Sequence, residues 1–409
     1  MLIDGTADKL ADEEFFQTCQ QAQADIAFFA LSSVCWTSDY KFFQRVKAIV
    51  RDTPLYVIGD IFVEREYQEL ILKECDGIIF QPYLLNLEKM IERKPPLPGV
   101  HMAIEDVGMP EQGKHTTFVN SAIPRHEMFL KSSYRFPFAK RFKFATVTAT
   151  WGCPFACSYC TDSKFPPVVR HYADVLKELE YLEHLGIKEL FFADKVFGFP
   201  YTNSIPLLEA MSRRFRFSWT CYFHPQLYNA QLLDLLYAAG CHTLITGIDS
   251  LNLESLHRYH RTVHQAQLDG LLHHANKLKM SICADFIIGL EHENEQDIVR
   301  TLEGALKLPI DFASFNIAAP LPGSIIRAKA LQEGKIQFGQ DEFDTYGRND
   351  VLANDHVTSE RIKQLRRKAI IKFYLRPSYL LRRLRKTSSI EHLLIQCLEM
   401  LFVFSEGIK

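Results

Sequence analysis

Cys153, Cys157 and Cys160 place three thiols within eight residues, in Thr150-Trp-Gly-Cys-Pro-Phe-Ala-Cys-Ser-Tyr-Cys-Thr161. Three sulfur ligands this close converge on one soft metal centre only where the backbone curls around it, and Gly152 and Pro154 favour such a turn. Iron–sulfur clusters take clustered thiolates of this kind. A zinc ribbon needs a fourth ligand, usually from a second, similarly spaced pair. Cys221, Cys241 and Cys283 lie singly, so a zinc reading falls back on His171 as the fourth ligand. A 4Fe–4S cluster held by three thiolates keeps one iron open to another molecule.

The elements that position these residues alternate in type. From Phe144 onward, strands are predicted at 145–150, 189–194, 217–223, 243–248, 282–290 and 313–319. Helices are predicted at 173–185, 204–215, 230–239, 253–278 and 295–308. Strands separated by helices imply a parallel sheet, and six βα units imply an open partial barrel, with a doubly wound sheet as the alternative. Either architecture puts chemistry at the C-terminal ends of the strands. The first hundred residues repeat the alternation, with strands at 26–32, 55–59 and 77–80, helices at 13–24, 40–51 and 64–74, and a further strand at Leu2–Asp4. The expected organisation is an α/β domain over 1–95, a proline-rich linker over 96–143, a barrel over 144–335 and a helical extension over 336–409.

The loop, placed after a strand and before a helix, resembles that of the radical S-adenosylmethionine (SAM) superfamily, with Tyr159 as the aromatic residue before the last cysteine. The resemblance implies a 4Fe–4S cluster on Cys153, Cys157 and Cys160. It also implies SAM on the open iron, cleaved to methionine and a 5′-deoxyadenosyl radical that abstracts hydrogen. Asp194 stands where relatives hold the SAM amino group, although Lys195 replaces a second acid. Thr246-Gly-Ile-Asp-Ser250 resembles the family's Gly-Ile-Glu-Ser segment, which makes Gly247, Asp249 and Ser250 cofactor candidates. Arg261 stands where relatives carry a basic residue. Asp285-Phe-Ile-Ile-Gly-Leu290 is similar to the segment beside the adenine, where Gly289 lets the backbone approach. Trp219, Tyr222 and His224, at the third strand and its exit, are candidates for the substrate pocket. His257, His260 and His264 share one face of the expected 253–278 helix, where solvation is the simpler reading than metal binding.

Tyr134-Arg-Phe-Pro-Phe-Ala-Lys-Arg-Phe-Lys-Phe-Ala-Thr-Val147 and Phe373-Tyr-Leu-Arg-Pro-Ser-Tyr-Leu380 extend the resemblance to radical enzymes with a cobalamin-binding domain, which include C-methyltransferases. The expectation here is a truncated, Rossmann-like version of that domain. Val57-Ile-Gly-Asp60 is present, but no Asp-x-His-x-x-Gly segment supplies a cobalt ligand, which leaves cobalamin open. The implied reaction is hydrogen abstraction from a small organic substrate, lipid-like molecules included. Its outcome is C-methylation or oxidative cyclisation or rearrangement. Flavodoxin or ferredoxin is the expected electron donor.

The bulk composition agrees with an enzyme of this kind. A hydrophobic fraction of 47% and a charged fraction of 23% over 409 residues are those of a globular protein, and the net charge of −2 argues against a nucleic-acid partner. Modification of tRNA or a peptide is therefore the weaker enzymatic alternative. A non-catalytic iron–sulfur carrier or sensor has no use for six βα units. Ten cysteines are too few for a disulfide scaffold, and neither a signal peptide nor a membrane-spanning run is visible. A cytoplasmic, oxygen-sensitive protein is expected. The basic stretch 361–386 admits a peripheral membrane contact or a helical extension packed on the barrel with its charges in solvent.

Overall fold

The computed structural model describes residues 1–103, 105, 117–130, 134–339, 345, 352, 354–387 and 389–407. Parts of the expected linker, at 104, 106–116 and 131–133, lie outside these residues. The chain divides into two compact units. One comprises Met1–Lys114, Tyr159–Lys164 and Pro320–Phe343; the other comprises His115–Ser158, Phe165–Ala319 and Asp344–Lys409.

The smaller unit holds α1 (Asp12–Gln21), β1 (Ala27–Ala30), α2 (Trp36–Ile49), β2 (Leu55–Ile58), α3 (Arg65–Ile71), β3 (Gly77–Ile79), α4 (Leu87–Ile91) and β4 (Val100–His101). Its sheet runs β1-β2-β3-β4, with the first three strands parallel and β4 antiparallel. The short apolar runs form the interior: Val57, Ile61, Phe62 and Ile78 are fully buried. Two expectations are corrected. Leu2–Asp4 is not a strand but leads into a turn in which Asp4 accepts the Ala7 amide at 2.9 Å. Val100–His101, inside the linker expected over 96–143, form β4 instead, and within the expected domain the Tyr56 hydroxyl donates to the Met90 carbonyl at 2.9 Å to hold α4 in place.

The larger unit opens with β5 (Thr117–Val119), β6 (Ala145–Val147), β7 (Thr150–Trp151) and β8 (Val168–Arg170). It continues with α5 (Tyr172–His184), β9 (Glu189–Phe192), α6 (Tyr201–Arg214), β10 (Ser218–Tyr222), α7 (Ala230–Ala238) and β11 (Cys241–Asp249). Then come α8 (Leu253–Arg258), α9 (Gln265–Lys277), β12 (Ser281–Ile288), α10 (Glu295–Lys307) and β13 (Phe312–Ile317). After α11 (Ile325–Gln332), which belongs to the smaller unit, it ends with α12 (Ser359–Tyr374), α13 (Pro377–Lys386) and α14 (Ile390–Gly407). The six predicted barrel strands form one wholly parallel sheet in the order β13-β12-β11-β10-β9-β6, and β5, β8 and β7 form a separate three-stranded sheet.

Register divides the six-stranded sheet into two faces, because residues paired across parallel strands point the same way. Leu190 pairs with Trp219, and both are buried under the helices. Gly247, Asp285 and Ser314 are paired on the opposite face, where side chains are only half-buried. Burial beside the Asp249 charge pushes the Asp285 carboxyl up to about 7. The folded state therefore holds this proton more tightly than the unfolded chain. Stability contributed below the ordinary carboxylate range is lost as pH rises from about 4 to about 7. Asp285→Asn is expected to flatten that dependence, gaining on the order of 2 kcal/mol at pH 8 relative to the parent; urea unfolding at pH 5 and pH 8 measures it.

The expected single helix over 253–278 is two helices. Asn252 caps α8 by accepting the Glu254 and Ser255 amides, and His260 adopts φ +53° at the break. His257, His260 and His264 thus lie on a helix, a turn and the next N-cap, and share no helical face. The C-terminal extension packs on the sheet, but its cations are not all in solvent. Arg366, Arg376 and Arg382 donate to the carbonyls of Phe315, Leu306 and Ile310 at 2.7, 2.7 and 3.1 Å. Arg383 lies 4.2 Å over the Phe312 ring, and Lys386 pairs with Asp311 at 2.8 Å. Cations so engaged leave the peripheral membrane contact, the alternative reading of this stretch, without support. No helix among the described residues is long and apolar enough to cross a membrane.

Candidate functional site

The cysteine loop leaves β7 through Gly152, whose φ of +72° suits glycine and where a Cβ would stand 2.2 Å from the Pro166 carbonyl oxygen. The Cys153 amide donates to the Phe165 carbonyl at 3.0 Å and the Ser158 amide to the Tyr259 carbonyl at 3.0 Å. These two bonds pin both ends of the Cys153–Cys157 turn. Gly152→Ala is expected to destabilise the protein by about 2 kcal/mol and lower its iron content, because strain and clash fall at one position. Thermal melting with iron analysis checks this.

Beside the turn, four sequence-predicted residues meet. Arg261 reaches in from the break between α8 and α9, with Nη1 3.9 Å from the Cys157 sulfur. Its Nε lies 2.5 Å from the Asp249 carboxylate, and Nη2 donates to the Gly247 carbonyl at 2.5 Å. Asp249 ends β11 at φ +63°, an unfavourable conformation for a non-glycine residue, held by this ion pair. Nη1 also contacts Nε2 of His224, at the exit of β10. Burial, with the neighbouring guanidinium, lowers the His224 pKa to about 2, so the ring is neutral. His224 stacks on Phe155, inside the cysteine loop, with centroids 3.7 Å apart. A positive charge therefore sits against Cys157, a setting suited to an anionic thiolate–sulfide cluster.

Other candidates lie elsewhere. Asp194 is 1% exposed and accepts the Ala149 amide at 2.8 Å, tying the end of β9 to β6; burial raises its carboxyl to about 7 against these hydrogen bonds. Ser250 donates to Glu293 at 3.1 Å, and Glu293 accepts the Gly289 and Leu290 amides at 3.0 and 3.1 Å, so both strand ends share one buried carboxylate. Gly289 has φ +77°, and a Cβ there would meet Ile362 of α12 at 2.9 Å. Tyr222 is half-buried on the face that Phe191 shares. Trp219 departs from the pocket expectation: it is fully buried on the helix-covered face, with its indole donating to the Ala239 carbonyl at 2.8 Å. His171 is exposed and stacks on Phe118 at 5.5 Å. Tyr159 and Cys160 belong to the smaller unit. There the Cys160 carbonyl accepts the Ser163 hydroxyl at 2.7 Å, and Thr161 donates to the Pro322 carbonyl at 2.8 Å.

Phe155, Tyr259 and Glu293 were not anticipated. Phe155 carried a signal, as an aromatic residue inside the cysteine loop; the other two are visible only through tertiary contacts.

Residues 147–305 match the radical SAM superfamily, and the chain is an enzyme of the radical SAM type, a family that uses a 4Fe–4S cluster and SAM. It is 26% identical over 398 residues to the uncharacterized methyltransferase PH0819 of Pyrococcus horikoshii, covering 93% of this chain and 85% of that protein. It is 26% identical to bacteriochlorophyllide d C-12(1)-methyltransferase of Chlorobaculum tepidum, over 51% of this chain and 48% of that one. The fold is similar to the radical SAM methyltransferase TsrM of Kitasatospora setae, solved with cobalamin and a 4Fe–4S cluster. The TM-score is 0.66 at 14% identity, over 81% of this chain and 68% of that one.

Proposed function

We propose that the protein transfers a methyl group to a carbon atom of a small organic substrate, with Cys153, Cys157 and Cys160 holding the cluster. The observation that carries this reading is the similarity to a protein named a methyltransferase over 93% of the chain. The Arg261 guanidinium beside Cys157 supports the ligand assignment. The cluster, when bound, supplies the electron that cleaves the SAM sulfonium. The chain's own residues set the surroundings. Gly152 turns the loop, Tyr259 and Phe165 anchor it, and Phe155 stacks on neutral His224. Asp249, paired to Arg261, fixes the end of β11, and Glu293 fixes the segment at Gly289.

Cobalamin is the expected methyl carrier in the subfamily, and the described residues do not fit it. An open α/β sheet takes ligands where its strand order reverses, and among the described residues β1-β2-β3-β4 shows no reversal. The loops after β1 and β2 close on each other. The Ser33 amide and hydroxyl donate to Asp60 at 2.9 and 2.7 Å, and a Cβ at Gly59 would lie 2.2 Å from the Leu31 carbonyl oxygen. No step is routed through a corrin. This misfit favours a second reading, oxidative cyclisation or rearrangement, in which SAM gives only the radical. Reduced, cluster-loaded protein incubated with methyl-labelled SAM and a metabolite extract separates the two. Label in a product other than methionine supports methyl transfer. Methionine and 5′-deoxyadenosine that rise on addition of extract, with no labelled product, replace it by the second reading.

A further inference from the structure

Among the described residues, β6 is an outer strand of the six-stranded sheet, hydrogen-bonded there to β9 alone. Along its other edge lies a cavity of about 560 Å³, large enough for a small organic ligand. Phe142, Phe144 and Trp151 supply apolar wall, and Thr146 and Thr148 of the β6 segment line the edge itself. Trp151 also opens the cysteine loop, two residues before Cys153.

The polar groups of the cavity are unevenly satisfied. Arg170, 2% exposed, donates through Nε to the Ser121 hydroxyl at 2.5 Å and through Nη1 to the Thr148 carbonyl at 2.7 Å. Nη1 also lies 2.6 Å from a Glu178 oxygen, whose partner oxygen meets His126 at 2.7 Å. Nη2 is buried and has no hydrogen-bond partner. A buried cationic donor left without an acceptor is costly, and an anionic acceptor from a ligand would relieve it. Arg135 and Lys143 line the same cavity, Lys143 Nζ donating to the Leu185 carbonyl at 3.2 Å, so three basic residues line it against the single Glu178 carboxylate. An apolar wall with a surplus of positive charge selects an apolar organic anion and rejects a cation.

We propose that this cavity holds the anionic end of an apolar organic substrate, with a carboxylate oxygen accepting from Arg170 Nη2. Its role in turnover rests on the substrate-processing reading above; its occupancy does not. The position along the edge of β6 leaves the rest of such a molecule beside the Thr146 face of the strand, which is also the Phe191 face.

Calorimetric titration of cluster-loaded protein under anaerobic conditions tests the proposal with three probes of one shape: 2-naphthoate, 2-naphthylmethanol and 2-naphthylmethylammonium. The carboxylate is expected to bind about tenfold or more tighter than the alcohol, and the ammonium weakest. Arg170→Gln is expected to erase the preference for the carboxylate. Arg170 also braces Glu178, so a second variant, Thr146→Trp at an exposed position, is expected to block all three probes by filling the space. Equal binding of the probes, no binding of any, or a carboxylate affinity unchanged in Thr146→Trp overturns the proposal. Carboxylate-selective binding by a protein that never cleaves SAM would leave the cavity assignment standing and remove the proposed function instead.

Discussion

Arg261→Ala is expected to destabilise the protein by about 3–5 kcal/mol, because it takes the guanidinium away from a buried carboxylate. Asp249 is 6% exposed and adopts φ +63°, and the guanidinium that offsets its charge also bonds the Gly247 carbonyl. Removing it leaves both acceptors without this donor at the end of β11 and takes the positive charge from beside Cys157. Arg261→Lys should recover only part of the loss, since an ammonium cannot make the forked contact to Asp249 and Gly247 at once. Denaturant unfolding gives the stability, and SAM affinity by equilibrium dialysis is expected to fall in parallel. An Arg261→Ala protein within 1 kcal/mol of the parent would show that the ion pair does not hold this strand end.

Cys157→Ala is the second large effect, and it separates chemistry from fold. Cys157 is buried at 8% exposure, and truncating one sulfur in a buried site costs about 1 kcal/mol. The folded protein should therefore persist, with an unchanged far-ultraviolet circular dichroism spectrum. A cluster deprived of one of three thiolates should not assemble in its active form, and SAM cleavage is expected to fall to background. Cys221→Ala provides the contrast. That thiol lies fully buried in the core, where burial and the neighbouring Cys241 push its pKa well up, and its loss should leave cleavage intact. Full cleavage by Cys157→Ala would overturn the ligand assignment.

What could be read in advance follows the range of the interactions. The strands of the six-stranded sheet were legible because strands of a parallel sheet are continuous apolar runs, as in Leu244–Ile245 and Phe286–Ile288. The break at 259–264 was not. Local periodicity continues across it, and the break is where Arg261 turns inward to Asp249. β4 is two residues long, too short for a pattern, and its place is set by pairing with β3. At the site, the cysteine spacing was legible alone, whereas the meeting of Phe155, His224, Arg261 and Asp249 required loops from four parts of the chain. Trp219 shows the opposite error: an aromatic residue near the start of β10 that register turns toward the helices.

The central claim is that this chain makes a radical from SAM. The most direct measurement is anaerobic incubation of cluster-reconstituted protein with SAM and a one-electron reductant, followed by quantitation of products. Methionine and 5′-deoxyadenosine in equal amounts, absent from Cys157→Ala, are the predicted result. A protein that carries the 4Fe–4S spectrum and binds SAM yet forms neither product would contradict it.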